Sequence, residues 1–125
     1  MRRTSVILLS LLISLIPVSL FAKSGFAGVY TVTGTNPGAE ADAEPYTGTL
    51  TITARGDIYD VHWSIADDEY DGIGIVANNT LSVAYTAGDG VGVVVYRQRP
   101  DGSLEGRWAV EGASDRQGTE LATRQ

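Results

Sequence analysis

Gly72-Ile73-Gly74-Ile75-Val76-Ala77-Asn78-Asn79-Thr80-Leu81-Ser82-Val83-Ala84-Tyr85 reads as two β-strands folded back on each other. β-Branched and aromatic residues alternate with small or polar ones on both sides of Asn78-Asn79, the period-two pattern of a strand with one buried face. Asn tolerates positive φ better than most residues, so the pair suits a two-residue hairpin turn. That turn sets Ala77 against Thr80, Val76 against Leu81, Gly74 against Val83 and Gly72 against Tyr85. A glycine then lies opposite an aromatic ring, leaving the ring room to lie across the neighbouring strand.

The same grammar extends along the chain. Strands are predicted near Phe26–Thr33, Tyr46–Thr53, Ile58–Ile65, Tyr70–Ala77, Thr80–Thr86, Val91–Gln98, Ser103–Val110 and Gln117–Thr123. Arg99-Pro100-Asp101-Gly102 reads as a type I turn closed by a glycine bulge. It sets Gln98 opposite Leu104, Tyr96 opposite Gly106 and Val94 opposite Trp108. A four-residue loop at Ala66–Glu69 sets Ile65 against Tyr70 and Trp63 against Gly72. These turns place Tyr59, Val61, Trp63, Ile65, Tyr70, Val76, Leu81, Val83, Tyr85, Val94, Tyr96, Leu104 and Trp108 on one face. Tyr46, Gly48, Leu50 and Ile52 join them, while Thr47, Thr49, Thr51 and Thr53 form an outer stripe. A one-residue slip would turn every one of these residues over, so register is strongly specified. The fold class is therefore all-β: an eight-stranded antiparallel up-and-down (meander) barrel, which leaves no exposed edge. A two-sheet sandwich is the alternative, disfavoured because no long crossover breaks the meander.

Residues 1–22 carry the three parts of a secretory signal, leaving residues 23–125 as one barrel domain. Arg2 and Arg3 begin it, Val6–Val18 is an apolar run, and Pro17 breaks the helix before the small Ala22. The run is about 13 residues, short of the roughly 20 needed to span a bilayer, so no stable membrane insertion is expected after cleavage. No cysteine is present, which removes a lipobox anchor and any disulfide framework. The expected location is secreted or periplasmic, in a bacterium. Cleavage removes two of nine basic residues and none of fifteen acidic ones, leaving seven against fifteen, a net charge of −8. That charge repels phosphate backbones and argues against nucleic acid as a partner.

Chemistry-bearing motifs are few. His62 is the only histidine, out of phase with Val61 and Trp63 and so turned to solvent without a visible partner. Asp67, Glu69 and Asp71 before Gly72 imitate the first half of a calcium loop. However, the twelfth position is Asn78 rather than Glu, and a solvated hairpin tip is the simpler account. Arg55-Gly56-Asp57 is an exposed RGD tripeptide, which ordinary turn chemistry also explains. Asn36–Pro45, with Glu40, Asp42 and Glu44, is the longest connection and either a lid or a solvated hairpin tip. Val91, Val93 and Val95, with Ile73 and Ile75, face outward and suggest a partner or self-association surface. Arg97 opposite Glu105 is expected to form an exposed ion pair. No cofactor and no catalytic grouping is indicated.

Gly28-Val29-Tyr30 and Gly106-Arg107-Trp108 resemble the Gly-x-aromatic strand pattern of avidin-like and lipocalin-like barrels. The runs GVYTVTGTNPG, YTGTLTI, GDIYDVHW, GIGIV, LSVAY, GVGVVVY and DGSLEGRW resemble small secreted bacterial Gly/aromatic-rich proteins, some of which carry the label fibronectin-binding protein. The resemblance implies a non-enzymatic adhesion or interaction module, acting on an extracellular or periplasmic protein through Val91, Val93, Val95 or Arg55-Gly56-Asp57. The alternative is a binder of one small apolar ligand, held by Tyr30, Trp63, Tyr85, Tyr96 and Trp108. The expected lining is Val, Leu, Ile, Trp and Tyr, with mainly tyrosine hydroxyls as polar groups, and so many rings predict a filled interior, with a dry slot at one mouth as the other outcome.

Overall fold

The computed structural model describes residues 25–125; the predicted leader, residues 1–22, lies outside them. Eight antiparallel strands close into a barrel in sequence order. They are β1 (Gly28–Thr35), β2 (Tyr46–Arg55), β3 (Ile58–Ile65), β4 (Asp68–Ala77), β5 (Thr80–Ala87), β6 (Gly90–Gln98), β7 (Leu104–Val110) and β8 (Gly118–Arg124). β1 pairs with both β2 and β8, so the sandwich alternative does not apply.

Turn chemistry fixes most of the register. Asn78 and Asn79 adopt φ of 52° and 60°, and the β4–β5 pairs follow as predicted. Gly102, at φ 86°, closes the β6–β7 turn and sets Tyr96 opposite Gly106. The β3–β4 connection differs. Ala66 takes φ 54° in a two-residue turn, so Asp68 and Glu69 join β4 and Ile65 faces Asp68. Trp63 therefore faces Tyr70 rather than Gly72. Shortening the loop by two residues moved the register by two, which leaves every side chain on its predicted face. β1 begins later than predicted because Phe26 turns back beneath the barrel, where the Tyr30 hydroxyl donates to its carbonyl at 2.6 Å.

The two ends of the barrel differ. At the end carrying the β2–β3, β4–β5 and β6–β7 turns, Phe26, Tyr30, Val32, Leu50, Leu81 and Leu104 fill the interior. Arg124 seals this end, its guanidinium 5.0 Å from the Tyr30 ring centroid and its Nη1 donating to the Ala27 carbonyl at 3.0 Å. Val76, placed inside by its alternation, is 40 % exposed, because it is the last inward position before the Asn78-Asn79 turn and lies beyond the packed core. Toward the opposite end lie Tyr46, Trp63, Tyr70, Tyr85 and Trp108, and there the interior is not filled.

The inward glycines make room for these rings. A Cβ at Gly34 would lie 2.4 Å from both the Tyr46 ring and the Thr119 carbonyl oxygen. At Gly92 it would meet the Tyr85 ring at 2.1 Å, and at Gly118 the Trp108 ring at 2.4 Å. Gly34→Ala should therefore destabilise the barrel by about 1–3 kcal/mol, as overpacking against backbone does. The midpoint of urea unfolding checks this; an unchanged midpoint would show that the ring has room to move.

Candidate functional site

One cross-strand row holds the chemistry of the open half. Tyr46 on β2 faces Gly34 on β1, Gly34 faces Glu120 on β8, Glu120 faces Gly106 on β7, and Gly106 faces Tyr96 on β6. A tyrosine thus stands on each side of the carboxylate, separated from it by one glycine strand. Each ring lies flat over its glycine and brings its hydroxyl to Glu120. Tyr46 donates to Oε1 at 2.8 Å, and Tyr96 donates to Oε2. Trp63 Nε1 adds a third donor, 3.3 Å from Oε2 and 3.0 Å from the Tyr96 hydroxyl oxygen.

Glu120 is only 6 % exposed. Burial pushes its carboxyl above the ordinary value of 4.5, while the hydrogen bonds from Tyr96, Tyr46 and Trp63 pull it partly back. The phenols respond in the same sense. Burial first, and then the charge of Glu120, raise Tyr46 and Tyr96 and push Tyr85 up to about 12. All three therefore keep their protons at neutral pH and act as donors.

Above this row a cavity of about 340 Å³ opens at the barrel end. Glu120, Tyr96 and Val94 line its deeper part, Trp63, Tyr85, Tyr70, Tyr46 and Trp108 its walls, and Asn36, Ala66, Asp68, Ala87 and Val110 its rim. The rings brace one another: Trp63 and Tyr85 have centroids 5.3 Å apart, Tyr70 stands edge-on to Tyr85 at 6.3 Å, and Tyr46 edge-on to Trp108 at 6.1 Å. Trp108 Nε1 donates to the Thr119 carbonyl at 3.3 Å and the Tyr85 hydroxyl to the Ala109 carbonyl at 3.4 Å, which fixes the outer rings.

Of the residues the sequence points to, Trp63, Tyr85, Tyr96 and Trp108 lie together around this cavity. Tyr30 does not; it is fully buried in the filled half. Sequence reasoning missed Glu120, which adds a buried carboxylate to a lining expected to be polar mainly through tyrosine hydroxyls. The signal was available: Gly118 opposite Trp108 repeats the ring-over-glycine rule and sets positions 118, 120 and 122 inward.

The remaining candidates lie outside the barrel. Val91, Val93 and Val95 are exposed along β6, and Ile73 and Ile75 along β4. Arg55 is held by Asp60 through two bonds of 2.8 and 3.1 Å, with Gly56 and Asp57 in the turn beyond it. Asp67 sits in the turn, whereas Glu69 and Asp71 stand on the extended β4 beside His62 rather than in a calcium-type loop. His62 Nδ1 lies 2.7 Å from Asp71 and Nε2 3.4 Å from Glu69, so this histidine does have partners, and the bond to Asp71 raises its pKa. Among the described residues no group of three or more His, Cys, Asp or Glu could hold a metal ion. Glu105 pairs with Arg99 rather than with Arg97, which it faces across the strands.

Neither a protein-family model nor a curated protein sequence matches the chain. Among solved structures it is similar to a fatty acid transporter, REP1-NXSQ, at TM-score 0.52 and 13% identity, over 79% of this chain and 95% of that one. A mutant of the fluorescent protein UnaG matches at TM-score 0.53 and 13% identity, over 84% and 98%. Apo lipid binding protein 8 of Caenorhabditis elegans matches at TM-score 0.51 and 9% identity, over 90% and 100%. At these identities the likeness is one of fold alone, a closed antiparallel β-barrel.

A group whose pKa is higher folded than unfolded stabilises the fold below its unfolded value and loses that contribution as pH rises through its folded value. For Glu120 the loss begins near 4.5. His62 has the same sign but begins near 6.5. The stability of the native protein relative to Glu120→Gln should therefore fall as pH rises from 4.5. Urea midpoints of the two proteins across pH 4.5–8 check this, and a pH-independent difference would refute it.

Proposed function

We propose that the protein binds a small molecule in the open half of its barrel. The cavity of about 340 Å³, ring-walled and polar at its floor, carries this reading. It falls at the lower end of the roughly 300–1,000 Å³ of ligand sites, and a largely apolar concavity with a few convergent polar groups is what such sites share. The structural neighbours described as a fatty acid transporter and a lipid binding protein support it, being named for apolar ligands. Fold alone does not transfer function, so the cavity bears the argument and the neighbours only agree with it. In this reading the protein is a carrier or sensor rather than an enzyme, and the predicted leader would deliver it outside the cytoplasm.

A second reading keeps an adhesion role for the outer wall. The observation in its favour is that Ile73, Val91 and Val93 each expose half or more of their surface on a sheet face. A pull-down on fibronectin without saturable binding removes it.

The carrier reading is tested with the neutral dye N-phenyl-1-naphthylamine. Saturable uptake of one dye per chain, with quenching of Trp63 and Trp108 fluorescence, is expected. Ala87→Trp, which sets an indole in the rim, should abolish uptake while leaving the urea midpoint nearly unchanged. Uptake that does not saturate, or that survives Ala87→Trp unaltered, would place the dye elsewhere and overturn the reading.

A further inference from the structure

We propose that this cavity selects ligands carrying a positively charged nitrogen, a protonated or quaternary amine attached to an apolar body. The inference rests on the carrier reading and specifies its ligand class.

Charge makes the first argument. Among the described residues, those around the cavity include Glu120 at the floor and Asp68 at the rim, but no Lys, Arg or His. A ligand carboxylate would have no cation to pair with and would face two acidic groups within a chain that is acidic overall. A fatty acid, the cargo named for one structural neighbour, is therefore the wrong class here.

The hydrogen bonds make the second. All three groups around Glu120 donate to it: the Tyr46 and Tyr96 hydroxyls and the Trp63 indole N–H. An ionised carboxylate accepts at about four lone-pair sites, so this one is held by three donors yet has no counter-ion among the described residues. A row of donors that converges on one carboxylate suits its anionic form, and the missing opposite charge is what a cationic ligand supplies.

The walls make the third. Aromatic faces are negative, and a cation within about 6 Å of a ring centroid is attracted to it, most strongly by Trp. Trp63, Tyr70 and Tyr85 form one braced set of rings and Tyr46 with Trp108 another, all on the same cavity. Rings fixed by one another and by backbone acceptors keep their faces in place when the ligand enters.

A matched series separates charge from shape. Benzyltrimethylammonium, its neutral carbon isostere neopentylbenzene, and phenylacetate are each titrated against the dye-loaded protein, and displacement is followed. The cation should bind at least about tenfold tighter than the isostere, and phenylacetate weaker than both. In Glu120→Gln most of the cation's preference over the isostere should vanish. Equal affinities for cation and isostere, tighter binding of phenylacetate, or a cation that fails to displace the dye would each overturn the assignment and leave the carrier reading standing. A protein that takes up neither dye nor any member of the series loses both. The native-protein comparison decides the matter even where Glu120→Gln fails to fold.

Discussion

A carboxylate inside a barrel is tolerated only when donors surround it, and the two tyrosine donors of Glu120 reach it only because a glycine stands between each of them and β8. Tyr46 and Tyr96 belong to strands two removed from β8 on either side. Any side chain at Gly34 or Gly106 would fill the space through which their rings extend. Moving an isolated carboxylate out of water costs several kcal/mol. Hydrogen bonds to a charged group return about 1.5–3 kcal/mol each, so three of them are comparable with that cost. The glycine pattern is thus a polar device as well as a steric one.

The same device divides the barrel. In the filled half, aliphatic chains from opposite strands meet in the middle, with Phe26 and Tyr30 closing the end. In the open half, Tyr46, Tyr85 and Trp108 lie against the wall over Gly34, Gly92 and Gly118, and Trp63 reaches inward to Glu120. Trp108 over Gly118 and Tyr85 over Gly92 hold that posture through bonds to backbone carbonyls. An eight-stranded barrel is only just wide enough to choose between being filled and holding one small ligand. This chain is filled at one end and open at the other, so a packed base lies under ring walls that are already set. The long connection 36–45 lies at the open end, where Gly38 sits against Ser114 of the β7–β8 connection and Asn36 borders the cavity.

Much of this was legible in the chain. Period-two alternation marked all eight strands, and Asn78-Asn79 and Gly102 fixed two hairpins, because a positive φ leaves few residue choices. The β3–β4 turn was misread since Ala66 is not a residue expected at positive φ, and acidic residues at 67–69 resemble a loop. The error was harmless to the faces, an even shift being invisible to alternation. Partner choice among exposed charges was not legible: Glu105 faces Arg97 across the strands yet pairs with Arg99, because long side chains at the surface select among several partners at little energetic difference.

By itself, then, the sequence determined the strands, the meander and which residues point inward, since these follow from local periodicity and turn geometry. Only the closed structure decided that Glu120, Tyr46, Tyr96 and Trp63 meet, because β8 pairs with β1 across the length of the chain and brings Glu120 beside Gly34. Closure likewise decided that one half fills while the other stays open. Cavity volume is a sum over all eight walls, and no single strand carries it.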